Sequence, residues 1–229
     1  MTIEEMELKA IIFDTETTGI TSPEIIEAAW LLVESPMTLS VLEKFEQRYK
    51  PTKAIELGAM ATHHIMAEDL VDMPESSTFS LPSDIHFVVG HNVDYDWKAA
   101  GSPDIKRICT LALSRFLFPK LDSHSQSAML YHLERGTARE NLIQAHSALA
   151  DVMNCRRVLA KLLDLVPGIE TWDDLWRLSE EARIPSVMTF GAHKGTPIAE
   201  VPGDYMQWLL RQPDVDPYLK KALAIKGRQ

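Results

Sequence analysis

Two carboxylates separated by one residue, Asp14 and Glu16, stand at the end of the apolar run 8–13. Side chains alternate between the faces of a strand, so an i, i+2 pair at a strand end aims both acids at one point. Without cations the two would repel and one would hold a proton well above its usual pKa. The stable arrangements are solvation in a loop or shared coordination of a divalent cation by hard oxygen ligands. A second group, His91-Asn92-Val93-Asp94-Tyr95-Asp96, follows the apolar run 85–89 and Gly90. That places its acids at the carboxyl end of a strand, where ligand sites of open α/β sheets gather. The plainer reading is a helix start, with Asn92 as cap and Asp94 as a first-turn acid. A third pair is His146 and Asp151. Five residues turn a helix by about 500°, leaving two helical side chains about 140° apart. The two converge only if His146 lies at or before the helix N-terminus. A movable imidazole beside fixed carboxylates suits a base that takes a proton from water. A surface histidine is the plainer reading.

The elements that must hold these residues are legible in the apolar patterning. Strands are expected at 8–13, 25–33, 39–49, 85–89 and 105–109, from short runs rich in β-branched and aromatic residues. Helices are expected at 57–71, 110–118, 123–133 and 147–165. The last carries Ala148, Val152, Cys155, Leu159 and Leu162 on one face. Residues 72–84, rich in Pro, Ser and acid, read as a loop with room for one turn of helix. Strands first and helices later imply a mixed sheet flanked by helices. Pro167 and Gly168 close the long helix, and Thr171 with Asp174 three residues on imitates a capping box, opening a helix over 171–183 that Pro185 ends. Three segments follow: a main domain over 1–167, a connecting helix over 168–185, and a small module over 186–229 with too few residues to build a large core alone. Within the module, Tyr205, Trp208 and Leu209 have helical spacing, and its lysines with those rings could face nucleic acid.

The 229 residues carry a net charge of −10, with 45 % hydrophobic and 24 % charged residues. This is the balance of a chain that buries a sizeable core. An acidic chain is a poor polyanion binder unless its carboxylates hold cations that reverse the local sign. Charge is also uneven, since the six basic and four acidic residues from Ser186 onward leave that segment at +2. The first ten residues carry Glu4, Glu5 and Glu7 and show no leader pattern, and no apolar run reaches membrane-spanning length, so a cytoplasmic location is expected. Cys109 and Cys155 lack the spacing of a metal or redox site and read as buried thiols.

Taken in order, the strings Ile11-Ile12-Phe13-Asp14-Thr15-Glu16-Thr17-Thr18-Gly19, His91-Asn92-x-x-Tyr95-Asp96 and His146-x-Ala148-x-x-Asp151 closely resemble the three motifs of the DEDD superfamily of 3′–5′ exonucleases, in its histidine-type subgroup. The resemblance implies a ribonuclease H-like α/β fold. It extends beyond the motifs to the exodeoxyribonuclease X type, through Ala59-Met60-Ala61-x-His63, Ile108-Cys109-Thr110-Leu111, Met188-Thr189-Phe190-Gly191, Lys194-Gly195 and Tyr205-x-x-Trp208-Leu209. One departure is His63-His64-Ile65-Met66, where the family usually has His-Gly-Ile-Thr.

Carried over residue by residue, the resemblance makes Asp14, Glu16, Asp96 and Asp151 ligands of two Mg²⁺ or Mn²⁺ ions and His146 the general base. Thr17, Thr18, Ile20, His63, Asn92 and Tyr95 become candidate substrate contacts, with Ile20 placed to stack on the terminal base. The implied activity is removal of nucleoside 5′-monophosphates from DNA 3′ ends, single-stranded or duplex, in DNA repair. The same site would cut RNA, which keeps a ribonuclease T-like or oligoribonuclease-like role as the alternative. A noncatalytic adaptor is the reading from another class. Relatives of this type include monomers and dimers, and a homodimer is the state expected here.

Overall fold

A computed structural model describes residues 8–142, 147–188 and 190–226. Among them, five strands form one mixed sheet: β1 (Ala10–Thr17), β2 (Ile25–Val33), β3 (Val41–Arg48), β4 (Phe87–Gly90) and β5 (Lys106–Cys109), in the order β3-β2-β1-β4-β5. The first three strands run antiparallel to their neighbours, whereas β4 joins the other side of β1 in parallel and β5 extends it in parallel. Parallel neighbours need crossover connections. The chain supplies them with α1 (Leu57–His63) and two short 3₁₀ turns before β4, and with α2 (Asp94–Ala99) before β5. After the sheet come α3 (Thr110–Leu117), α4 (Gln126–Leu133), α5 (Arg135–Asn141), α6 (Ala148–Leu163) and α7 (Trp172–Ala182). This is the ribonuclease H-like mixed sheet with flanking helices that the motif resemblance implies.

Burial explains the patterning. Ile11, Ile12 and Phe13 of β1 and Val88 and Val89 of β4 are buried, as expected of central strands covered on both faces. The edge strand β3 instead displays Glu43, Lys44 and Glu46 to solvent, charges that discourage pairing with another chain. The face of α6 formed by Ala148, Val152, Cys155, Leu159 and Leu162 is buried, and this helix packs on β1 and β2. Both cysteines are buried free thiols.

Some elements differ from the apolar patterning. The helix expected over 57–71 ends at His63, because His64 turns left-handed at φ 60° and its N–H closes the cap on the Met60 carbonyl. The His63 Nδ1 then accepts from the Ile65 N–H at 3.0 Å. Asp69 accepts from the Met66 N–H at 2.9 Å and starts a separate 3₁₀ turn, Ala67–Leu70. β1 runs further than its apolar stretch, carrying Asp14, Thr15, Glu16 and Thr17 within the strand. α5 has no amphipathic signal, since its sequence RGTAREN buries only Ala138.

Residues Glu180–Gln229 form a second compact unit, and the division from Met1–Ser179 falls inside α7. In the first unit, α7 buries Trp172, Leu175 and Ser179, and the Ser179 hydroxyl accepts from the Cys109 N–H at 2.9 Å. The second unit contains α8 (Gly203–Leu210) and α9 (Pro217–Lys226). Its own small core joins Met188, Ile198, Val201, Met206, Leu209, Leu219 and Leu223. Leu209 is interior, whereas Trp208 is exposed and leans on Tyr205, whose ring meets His193 edge-on.

Candidate active site

The site grows from the unequal lengths of two neighbouring strands. Pairing of β1 with β4 ends at Ile12 and Val89, while β1 continues to Thr17. Beyond that point the edge of β1 is covered by α2, where Asp96 Oδ1 accepts from the Thr15 N–H at 3.0 Å and from the Thr15 hydroxyl at 2.8 Å. A peptide group left without a ladder partner thus binds a carboxylate, which brings Asp96, 4 % exposed, to the strand carrying Asp14 and Glu16. From the α6 side comes Asp151. One carboxylate oxygen each of Asp14, Glu16 and Asp151 lie within 4.8 Å of one another. Gln126, the first residue of α4, donates from Nε2 to Oδ1 and to the carbonyl of Asp151, both at 3.1 Å, which orients the acid.

Electrostatics of the cluster follow from burial and like charge. Burial raises the Asp14 pKa well above the ordinary carboxylate range, and Asp96, Asp151, Glu16 and Glu27 push it the same way. Glu16 is raised to about 8 by burial and then by Asp151, Glu27 and Asp96. Asp96 is raised to about 7 by burial against the lowering effect of the Thr15 hydrogen bonds. Among the described residues, no lysine or arginine is a leading influence on these three acids. Clustered hard oxygens that repel one another and draw no side-chain cation fit divalent metal ions of the Mg²⁺ or Mn²⁺ kind.

Glu27 was invisible as a site residue in the sequence, yet it is the register partner of Glu16 across β1 and β2 and is 2 % exposed. Its two oxygens are divided between elements. Oε1 accepts from Arg48 Nε at 2.8 Å and Oε2 from the Ala148 N–H at 2.9 Å, in the first turn of α6. The one available signal was an acid inside the otherwise apolar strand IIEAAWLLV, since a buried charge demands partners. Thr15 and Gln126 gave no comparable signal.

The remaining candidates fall as follows. Thr17 is buried, and its hydroxyl meets both the Gly19 carbonyl at 3.1 Å and the Tyr95 hydroxyl. The Tyr95 hydroxyl donates to the Gly19 carbonyl at 2.8 Å. Thr18 is buried, its hydroxyl accepting from the Glu24 N–H at 3.0 Å. Ile20 beside them is 83 % exposed. Asn92 is exposed at φ 71°, a left-handed conformation that asparagine tolerates. His63 is buried beneath this end of the sheet, where burial lowers its pKa against the opposing effect of the Thr17 backbone and Glu27. His146 lies outside the described residues. The structure therefore gathers Asp14, Glu16, Asp96 and Asp151 at one place, with Thr17 and Tyr95 bonded to each other in the adjoining turn.

Comparison with known proteins bears on this geometry. The profile of the RNase_T family, described as an exonuclease, matches residues 11–159. Exodeoxyribonuclease 10 of Escherichia coli K12 is 24 % identical over 221 residues, covering 93 % of this chain and 96 % of that protein. The PolC-type DNA polymerase III of Bacillus cereus is 30 % identical over 184 residues, covering 72 % of this chain, which spans only 12 % of the polymerase. Among solved structures, exonuclease X in complex with 5′ overhanging duplex DNA superposes with a TM-score of 0.56 at 24 % identity, over 73 % of this chain and 99 % of that one.

Proposed function

Because this chain belongs to the RNase_T exonuclease family, we propose that it is a metal-dependent 3′–5′ exodeoxyribonuclease that releases nucleoside 5′-monophosphates and serves DNA repair. The observation that carries the reading is the convergence of Asp14, Glu16 and Asp151, joined by Asp96 through its bonds to Thr15, with no basic side chain among the described residues as a leading influence on the three whose pKa values are raised. A likeness that runs nearly end to end to a bacterial exodeoxyribonuclease supports DNA as the substrate.

In this reading Asp14, Glu16, Asp96 and Asp151 hold two Mg²⁺ or Mn²⁺ ions. Such ions, when bound, neutralise the charge that develops on the phosphoryl group and the leaving oxygen during in-line displacement. The chain's own groups do the rest. His146 takes a proton from the attacking water, whose oxygen bonds to phosphorus as the bond from phosphorus to the 3′-oxygen breaks. The shortened strand keeps that oxygen, which takes a proton from solvent water to become its new 3′-hydroxyl, and the terminal nucleoside leaves as its 5′-monophosphate. Thr17 and Thr18 offer backbone carbonyl oxygens to the terminal 3′-hydroxyl, the Thr18 N–H being held by the Glu24 carbonyl at 2.9 Å, and Ile20 stacks on the last base. His63, Asn92 and Tyr95 complete the pocket, with His63 and Tyr95 acting largely through the turn they support. The module over 186–229 adds a nucleic-acid surface through Trp208 and its lysines.

The test is digestion of matched, end-labelled single-stranded DNA and RNA with Mg²⁺ or Mn²⁺, beside an Asp14→Ala control. Faster loss of DNA from the 3′ end, abolished by the substitution or by EDTA, is the expected result. Faster loss of RNA would move the role to RNA processing, and no cleavage of either would favour an adaptor.

A further inference from the structure

We propose that the second unit binds unpaired DNA bases on a ladder of three rings, His193, Tyr205 and Trp208, as a site of its own that works without the acidic cluster. The choice of DNA rests on the exonuclease reading above. A unit as short as Glu180–Gln229 has little apolar surface to spare and gains by burying its largest side chains. This one closes its core with Met188, Ile198, Val201, Leu209 and Leu223, yet leaves Trp208 outside at 52 % exposure. Tyr205 is half-buried against that core, with its ring centroid 5.5 Å from Trp208 and 4.6 Å from His193.

The backbone holds these rings in place. The Met188 N–H donates to the Thr196 carbonyl and the Gly195 N–H to the Met188 carbonyl, both at 2.8 Å, which closes the loop that presents His193. Within it Gly191 is left-handed at φ 75°, and a Cβ there would stand 2.4 Å from the Tyr205 hydroxyl oxygen. Only glycine lets the loop lie on the tyrosine. The contact between His193 and Tyr205 is therefore set before any ligand arrives, and little ordering is left for binding to supply.

Charge selects the occupant. Lys194, next to His193, and Arg211, which ends α8 one turn after Trp208, are exposed and make no ion pair among the described residues. The nearby acids are committed to helix starts. Asp204 Oδ1 accepts from the Tyr205 N–H at 2.8 Å in the first turn of α8, and Asp216 Oδ1 accepts from the Tyr218 and Leu219 N–H groups at 3.0 Å ahead of α9. In a chain of net charge −10, free cations beside open rings repel a cationic ligand and attract phosphate. Rings with cations are the combination that stacks bases and holds their backbone. A single strand is favoured over a duplex, whose bases already cover one another's faces.

The experiment measures, by anisotropy, binding of a labelled single-stranded oligothymidylate and of a blunt DNA duplex to the full chain in EDTA. Without divalent ions the clustered acids repel phosphate, so the measurement reports the ladder. Trp208→Ala should weaken single-strand binding about five- to tenfold and duplex binding less than twofold. Trp208→Phe keeps a ring and should restore single-strand affinity to within about twofold, while abolishing the part of the tryptophan quenching that the oligonucleotide causes at this position. Trp208→Leu keeps apolar bulk without a ring and should behave as the alanine variant. Lys194→Ala/Arg211→Ala should flatten the salt dependence of single-strand binding by about one unit of logarithmic slope. Rescue by leucine, equal losses on single strand and duplex, or a wild type that does not bind the single strand in EDTA would overturn the ladder. A wild type that binds in this way but cleaves no DNA with Mg²⁺ would instead overturn the exonuclease reading and leave the ladder standing.

Discussion

Glu27 and Ala148, 121 positions apart in the chain, are joined by a 2.9 Å hydrogen bond from the Ala148 N–H to Glu27 Oε2. It ties the middle of β2 to the first turn of the helix that carries Asp151. A carboxylate at a helix N-terminus satisfies an amide that the helix itself leaves unpaired and complements the helix dipole. Arg48 on β3 balances the charge from the other side. The position of Asp151 over the acids of β1 is thus set partly by a residue that need not touch a metal ion.

From this follows a graded effect at position 27. Glu27→Ala leaves Arg48 and the Ala148 N–H unpaired and should cost about 2 kcal/mol, below the usual range for a broken buried pair because Arg48 is partly solvated. Glu27→Gln keeps an acceptor for Ala148 and should cost about 1 kcal/mol. Both should weaken Mn²⁺ binding, the alanine variant by more. Urea unfolding and Mn²⁺ titration by calorimetry check this, and unchanged Mn²⁺ affinity in folded Glu27→Ala would show that Asp151 is positioned without it.

The raised acids give a second prediction. A carboxylate with a folded pKa above its unfolded value contributes stability below the unfolded pKa and loses it as pH rises through the folded one. For Glu16 the interval runs from 4.5 to about 8. Metal-free protein should therefore lose stability between about pH 5 and pH 8, and Mg²⁺ or Mn²⁺ should restore it by displacing protons. At pH 7 binding should release at least one proton, since Asp14, Glu16 and Asp96 are all raised, measured as the dependence of the binding enthalpy on buffer ionisation enthalpy. Metal binding with no proton release would contradict the raised pKa values at this cluster.

How much of this was legible in the sequence depended on distance along the chain. Asp14 and Glu16 are two residues apart on a strand, so their shared direction follows from alternation alone, and the structure places both oxygens at one point. Asp96 and Asp151 were recognisable through motif resemblance, but their convergence needed the unequal ends of β1 and β4 and the packing of α6 on the sheet. Neither is encoded locally. The same reason hid Glu27 and Gln126, whose partners lie 121 and 25 residues away. The break at His64 was missed because apolar periodicity continues through it, while a side-chain acceptor on His63 and the Met66–Asp69 bond decide the backbone.

His91 should make the fold sensitive to acid. Its Nε2 donates to the His124 carbonyl at 2.8 Å and its Nδ1 lies 3.0 Å from the Thr110 hydroxyl, a set that suits the neutral ring. Burial lowers its pKa to about 4 from 6.5, against the raising effect of the His124 carbonyl. A histidine with a depressed folded pKa supports the fold above its unfolded pKa and withdraws that support as pH falls from 6.5 to about 4, here by about 3 kcal/mol. The difference between wild type and His91→Gln in urea midpoints across this window isolates the contribution. Parallel pH profiles for the two proteins would mean that the ring is not held neutral.

Tyr95 offers the sharpest separation of positioning from contact. Its hydroxyl is already committed to the Gly19 carbonyl at 2.8 Å and to Thr17, so it anchors the turn that presents Thr18 and the exposed Ile20. Tyr95→Phe keeps the ring and deletes both bonds, leaving the buried Thr17 hydroxyl with its bond to the Gly19 carbonyl. Stability should fall by about 1 kcal/mol. If the turn shapes the pocket for the terminal nucleotide, KM should rise about threefold to tenfold, because ordering the loosened turn then costs binding energy. Ile20→Ala in the Tyr95→Phe background should add little, since both changes act through one surface. Steady-state kinetics of the two single variants and the double variant on single-stranded DNA decide this. Fully additive losses would mean that Ile20 and Tyr95 meet the substrate independently.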